Sequence, residues 1–264
     1  MTKIQDYPST AEFGPNGVIL TDSDNGTKTI GVDNIAYAVF DGIPEMHNKL
    51  YRGKNLGSAV TTGHMASITD GSFSGLWTGD YWSVGGNKYR IAHFNYLLGN
   101  PHVIVIPDNT LSESSIDSDN LGSKSYRDTD WWRKSYADLV ARVDGYLGGN
   151  LSSRSGAVIN SYSDDGLAQS SDVVLSRMWF PSAENFGCSL STAHTNGSLY
   201  LWTRNSFQRP LALATFGKYI GSNASFILQN RVGSKSFGKM TTDAYPSFSS
   251  ASATIGIRPL FVMG

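Results

Sequence analysis

The segment Thr254-Ile255-Gly256-Ile257-Arg258-Pro259-Leu260-Phe261-Val262-Met263-Gly264 constrains the fold more than any other stretch. It reads as a closing β-strand in which one basic side chain is flanked by apolar residues. Gly256 permits a bulge or close backbone approach, and Pro259 cannot donate to a ladder, so it must face an unpaired position. Arg258 carries a fixed charge that needs acceptors if it is buried. The expectation is a carboxyl end sewn into the fold, with Arg258 structural and held beneath the strand.

The rest of the chain supports a β-rich, loop-rich body. Its 264 residues contain 28 glycines and 12% aromatics, a mixture of many turns and many large apolar groups. Charged residues are 16%, against about 25% in an ordinary domain. The surface is therefore built from Ser, Thr, Asn and Gly, which suits close packing against copies of itself or against sugar-like partners. With 21 basic and 22 acidic residues, the chain lacks the basic excess that phosphate binding needs, so no nucleic-acid partner is expected. The single cysteine, Cys188, excludes an intrachain disulfide. No apolar run approaches the roughly 18 residues of a membrane span. Residues 1–7 lack an apolar signal core, so the expected site of synthesis is a cytoplasm, without export by a recognisable secretion signal.

Two domains are expected, 1–70 and 71–264. In the first, Val18–Thr21 and Thr27–Ile30 flank the turn Asp22-Ser23-Asp24-Asn25-Gly26 and predict a hairpin. Asp33 caps a short helical stretch, Asn34 to Phe40, and residues 44–60 read as an extended linker or a wrapping segment. So small a module buries little by itself, which favours docking or oligomerisation. From Gly71 the texture changes. Residues 76–84 and 88–94 alternate around Gly85-Gly86-Asn87 and predict a second hairpin. Residues 102–107 are a continuous apolar run, hence a buried strand, and 108–128 read as a surface loop. Residues 130–147 carry one apolar stripe (Trp132, Tyr136, Leu139, Val140, Val143, Leu147), a cap at Thr129 or Asp130 and a Gly148-Gly149 stop, so a helix is expected there. A helical turn is expected over 172–178, short strands near 200–202 and 225–228, and a loop over 241–254.

Five short motifs in order resemble a domain common in bacteriophages and in prophages of gut bacteria: Gly79-Asp80-Tyr81-Trp82, Tyr89-Arg90-Ile91-Ala92, His102 to Asp108, Leu201-Trp202-Thr203-Arg204, and Gly256-Ile257-Arg258-Pro259-Leu260-Phe261. The last of these is similar to the ending of the C-type-lectin-like fold in its formylglycine-generating-enzyme form. The 1–70 segment, with its acidic-Gly-Thr-Lys turn before a short helix, is similar to attachment modules of phage head fibres and tail fibres. The resemblance implies an α+β chain: a small β-hairpin and helix module for virion attachment and oligomerisation, then a C-type-lectin-like domain. It implies no enzyme activity and no cofactor. It further implies a virion-surface protein (head fibre, decoration protein or tail-fibre adhesin), made in the bacterial host cytoplasm. That protein would be a homotrimer held to capsid or tail proteins by its first module, and would meet host-surface or mucosal glycans without inserting in a membrane. The alternatives are an enzyme acting on cell-wall glycan and a purely architectural capsid or tail protein.

Candidate chemistry is sparse. Asp22, Asp24 and Asn25 begin like a calcium loop but lack its later acidic positions, and a hairpin turn explains them better. Asp117, Asp119, Asp128 and Asp130 read as a solvated acidic loop rather than a cation site. The five histidines have no ligand spacing, so no metal is expected. Cys188 has no evident base or orienter and reads as a half-buried structural thiol. Asp164, Asp165 and Glu184 could be paired for glycoside hydrolysis, but nothing fixes their separation. Trp131, Trp132, Trp179 and Trp202 suit a core. Tyr245 and Phe248 differ, because they sit among serines without periodicity, and such mixtures form adaptable recognition surfaces. The expected ligand-binding face is therefore Tyr245, Ser247, Phe248 and Ser249, with Trp202, Arg204 and Asn205 as neighbours. The resembling variable proteins also place their diversified residues just before the same terminal motif.

Overall fold

The computed structural model describes residues 18–21, 28–31, 36–37, 39–41, 43–97, 99–118, 126–162, 168–188, 210–217, 221–231 and 235–264. The first hairpin pairs Val18–Thr21 (β1) with Lys28–Gly31 (β2). Asn55–Gly57 (β3), the helix Thr62–Thr69 (α1), Tyr81–Val84 (β4), Asn87–Phe94 (β5), Val103–Pro107 (β6) and Ser112–Ser114 (β7) follow. Then come the helix Ala137–Tyr146 (α2), Arg154–Tyr162 (β8), Ala168–Ser176 (β9), Met178–Trp179 (β10) and the short helix Ala212–Thr215 (α3). Phe226–Arg231 (β11), Ser236–Met240 (β12), Pro246–Ser250 (β13), Ile255–Ile257 (β14) and Leu260–Met263 (β15) complete the order. The chain is α+β, mostly strands in antiparallel-rich sheets with few short helices.

Two sheets organise the body. One has six strands in the order β10-β15-β6-β5-β4-β3, the other five in the order β13-β12-β11-β14-β7. The turn between β4 and β5 is Gly85-Gly86, with φ of 57° and 76°. Two consecutive positive φ values are what a type I′ hairpin turn demands, and glycine meets them without strain. The run Val103–Pro107 is buried at every position. Val103 and Val105 enter one apolar cluster with Trp82, Tyr89 and Phe261, while Ile104 and Ile106 enter another with Trp179, Phe226 and Leu260. A strand buried on both faces has no reason to alternate, which is why this run reads as continuously apolar.

The 130–147 stripe packs as expected. Leu139, Val140, Val143 and Leu147 are buried in the first cluster. The helix enters through a π-helical turn, Trp132–Tyr136, where the two rings stack at 3.9 Å between centroids. Thr129 Oγ1 accepts from the Trp132 backbone N–H at 3.3 Å. Gly148 and Gly149, at φ 74° and 77°, end the helix, and the Gly149 N–H returns to the Asp144 carbonyl at 2.8 Å.

Residues 44–70 share this body. Pro44–Asn48 form a 3-10 turn that buries His47 against Trp77, with ring centroids 4.4 Å apart. Strand β3 pairs parallel with β4. Arg52 and the Lys54 backbone N–H both reach the fully buried Asp80 carboxylate, the latter at 2.8 Å.

Four expectations need correction. Residues 172–178 are not helical: β9 runs to Ser176 and pairs antiparallel with β8. Val173 and Val174 are β-branched, which favours the strand over a helical turn. The 108–128 stretch is not all surface loop, because β7 pairs with β14, and Ile116 and Asp117 are buried. The 241–254 stretch is not a loop either: β13 pairs along its whole length with β12. Finally, 254–264 is two strands, not one. β14 lies in the five-stranded sheet and β15 in the six-stranded sheet, with Arg258-Pro259 as the crossing. Pro259 falls between the two ladders, so its missing donor costs nothing.

Candidate functional site

The expected recognition residues 245–249 sit on one continuous turn and edge strand. Thr241 builds the turn. Its backbone N–H donates to the Tyr245 carbonyl at 2.9 Å, and its Oγ1 accepts from the Tyr245 N–H at 3.1 Å. Ala244 takes the left-handed conformation, φ 63°, to close it. Strand β13 then forms one edge of the five-stranded sheet, with Phe248 paired to Gly238, Ser247 to Lys239 and Ser249 to Phe237. Tyr245 is 72% exposed and Phe248 49% exposed. Both are thus displayed from a hydrogen-bonded frame rather than a free loop. Trp202, Arg204 and Asn205 lie outside the described residues, as do His194, Asp164 and Asp165.

A polar cleft of about 640 Å³ opens beside the same turn. It is open to solvent and lined by the β4–β5 hairpin tip at Asn87 and Lys88, the Asp108-Asn109 turn after β6, the Gly221–Asn223 turn before β11, and Thr242. Asparagines hold these walls together. Asn87 Oδ1 accepts from the backbone N–H of Lys88 at 2.8 Å and of Asn109 at 3.3 Å, and its Nδ2 donates to the Asn109 carbonyl at 3.2 Å. Asn223 Oδ1 accepts from the Thr110 N–H at 3.0 Å and from Ser222 Oγ at 3.0 Å. Gly221 has no room for a side chain, since a Cβ would stand 2.8 Å from the Thr242 carbonyl.

The charges at the cleft are unequal. Both oxygens of Asp108 are engaged by Arg90, from Nε at 2.6 Å and Nη2 at 2.9 Å. Arg90 is itself buried and also donates to the Gly79 carbonyl at 2.9 Å. Lys88 is exposed, and among the described residues it forms no ion pair; its ammonium lies 5.0 Å from the Tyr81 ring centroid. No family model, curated protein or solved structure matches this chain.

Arg258 sits beneath these features. It is fully buried, donates from Nε to the Pro107 carbonyl at 2.8 Å, and lies 4.9 Å from the Phe226 ring centroid. Burial pulls its pKa down to about 10, with Asp108 opposing and Arg90 reinforcing that pull. It therefore stays charged at neutral pH. Arg258 thus stands next to the strand end that leads into the Asp108 turn.

The remaining candidates serve the backbone. His102 Nε2 accepts from the Leu97 N–H at 2.9 Å, and His93 Nδ1 accepts from the Ala212 N–H at 2.8 Å. His64 Nδ1 accepts both the Thr61 N–H and Trp82 Nε1–H at 3.2 Å, closing a capping box on α1. Asp130 accepts from the Ser118 N–H and Oγ, which draws its pKa down to about 2. Among the described residues no three His, Cys, Asp or Glu side chains gather as a metal site. A second hollow of about 330 Å³ brings Glu113 and Asp138 together with Lys134 and Arg142, so its two carboxylates share their space with two cations.

The cleft went unnoticed in the sequence because it belongs to no single segment. Its only signal is that three turns, Gly86-Asn87-Lys88, Pro107-Asp108-Asn109 and Gly221-Ser222-Asn223, each carry an asparagine at a strand end, where side-chain amides bond local backbone.

Proposed function

We propose that this chain is a non-enzymatic bacteriophage virion-surface protein, a head fibre, decoration protein or tail-fibre adhesin, that presents a host- or glycan-binding surface. The observation that carries the reading is the display of Tyr245 and Phe248, large and exposed, from an ordered turn and edge strand. Aromatics offer contact area at low entropy cost; strand alternation puts Ser250 on the same side of β13 as Phe248, where it can add hydrogen bonds, while Ser247 and Ser249 lie on the other side. The α+β architecture is compatible with a C-type-lectin-like body. The five ordered motifs and the low charge content support the virion setting. Attachment and trimerisation would fall to the 1–70 module, chiefly ahead of Pro44, since the residues after it are committed to the sheet. Val39 and Ile43, 62% and 44% exposed, are apolar surface that a neighbouring copy or a capsid protein would cover.

The test is adsorption of the full-length protein to host cells and to a glycan panel, comparing wild type with Tyr245→Ala plus Phe248→Ala. Loss of adsorption by tenfold or more, with an unchanged melting temperature, is the expected result. Undiminished adsorption by a folded double variant would remove this face from the account.

A further inference from the structure

The cleft beside the recognition turn has the build of a second, chemically distinct site. Its volume of about 640 Å³ falls within the roughly 300–1,000 Å³ usual for small-molecule sites. Its walls come from separate turns, yet they are cross-braced by Asn87 and Asn223, so the site is formed before any ligand arrives. A pre-formed site spends less free energy on ordering. Its lining includes serine and threonine hydroxyls and asparagine amides, which both donate and accept, as a polyhydroxylated ligand requires, beside apolar backbone and stem surface that a sugar ring can cover. Asp108 is already satisfied by Arg90, whereas Lys88 has no carboxylate partner among the described residues. Lys88 lines the cleft and its ammonium lies against the Tyr81 ring at the margin, so a swing of its flexible stem brings a positive charge to the neutral hydrogen-bonding groups.

We propose that this cleft binds a carboxylate-bearing sugar unit, a uronic or similar acidic saccharide. Its carboxylate sits against the Lys88 ammonium, and its hydroxyls are read by Asn109, Asn223 and Ser222. A bare inorganic anion would leave most of the volume and of the amide frame unused. A neutral sugar would leave Lys88 without its counter-charge. The inference stands independently of the Tyr245–Phe248 face, from which only the 241–245 turn separates it.

Calorimetric titration of the full-length protein tests it with three probes: methyl glucuronide, its neutral counterpart methyl glucoside, and inorganic sulfate. Methyl glucuronide is expected to bind at least tenfold more tightly than either of the others. Lys88→Met, which keeps the aliphatic stem, is expected to weaken it about tenfold and to abolish the preference over methyl glucoside. Asn223→Asp keeps the acceptor for the Thr110 N–H while adding a negative charge, and should weaken the glucuronide in the same way. Tyr245→Ala plus Phe248→Ala should bind it within twofold of wild type, so a failure of the aromatic face and a failure of the cleft are told apart. The proposal is overturned by glucuronide and glucoside of equal affinity, by sulfate as tight as the glucuronide, by undiminished binding in Lys88→Met, or by no saturation up to about 10 mM.

Discussion

Truncating Arg258 to alanine should be among the most damaging single changes available. The side chain is fully buried between the two sheets, so its removal leaves a hole that neighbouring strands cannot fill without moving. It also strands the Pro107 carbonyl, whose partner is Arg258 Nε at 2.8 Å, and an orphaned buried acceptor costs about 1–3 kcal/mol. Loss of the packing over Phe226 adds to this, and Asp108 loses one of two nearby cations. The terms are not additive, and about 3–5 kcal/mol is the expected total for emptying a large buried site and orphaning its acceptor. Arg258→Met is the informative partner. It keeps most of the stem and removes the desolvation penalty that pulls the guanidinium pKa down, while giving up the same hydrogen bond. It should cost only about 1–2 kcal/mol. Urea unfolding of the three proteins, read as midpoints at a common slope, gives both numbers. A loss below about 1 kcal/mol for Arg258→Ala would refute the structural role. Equal losses for Met and Ala would show that the guanidinium's charge and donor, rather than its volume, hold the crossing.

Gly256→Ala should lower stability by about 3 kcal/mol, since a Cβ there would stand 2.4 Å from Thr110 Cγ2 and 2.6 Å from the Ser225 carbonyl; an unchanged melting temperature would contradict that packing. Acidification should also destabilise the protein. Burial lowers the pKa of His47 and of His64 below 6.5, so the unfolded chain takes up more protons and stability falls as pH drops below 6.5. Asp80, whose pKa burial raises, works in the opposite sense as pH falls through its folded value. Thermal melts from pH 7 to about 5.5 should therefore decline, and a His64→Gln variant should decline less; a flat profile would refute the assignment. The double variant Tyr245→Ala plus Phe248→Ala should change unfolding free energy by no more than about 0.5 kcal/mol, because both rings are exposed and neither enters the two apolar clusters of the described residues, and a larger loss would return both to the core.

Local signals in this sequence were legible where one segment carries its own reason. The Gly85-Gly86 hairpin, the buried 103–107 run and the capped helix ending at Gly148 each declare themselves through turn chemistry or periodicity. The burial of Arg258 was readable from the cost of leaving a charge unpaired among apolar neighbours. What could not be read was partnership between distant segments. Residues 246–250 look like a loop because their serines lack strand propensity, and only the ladder to β12 makes them a strand. Residues 172–178 carry no local signal that separates a helical turn from a strand, and the long antiparallel pairing of β9 with β8 decides for the strand. The cleft is the extreme case. Each asparagine-bearing turn is ordinary alone, and only the two sheets bring the three together.

The crossing at Arg258-Pro259 also governs when the protein can finish folding. β14 occupies an interior place between β11 and β7, and β15 one between β10 and β6. Neither sheet can close until residues 255–263 have been made, and Pro107 waits for a partner 151 residues downstream. At a synthesis rate of about 5–20 residues per second, that is roughly 8–30 s with one edge of β6 unpaired. An open apolar strand edge is a template for wrong pairing. The nascent chain thus carries two vacant slots that a single short segment fills together, so both sheets complete in one late, cooperative step, and the interval before it is when this protein most needs shielding from its own copies.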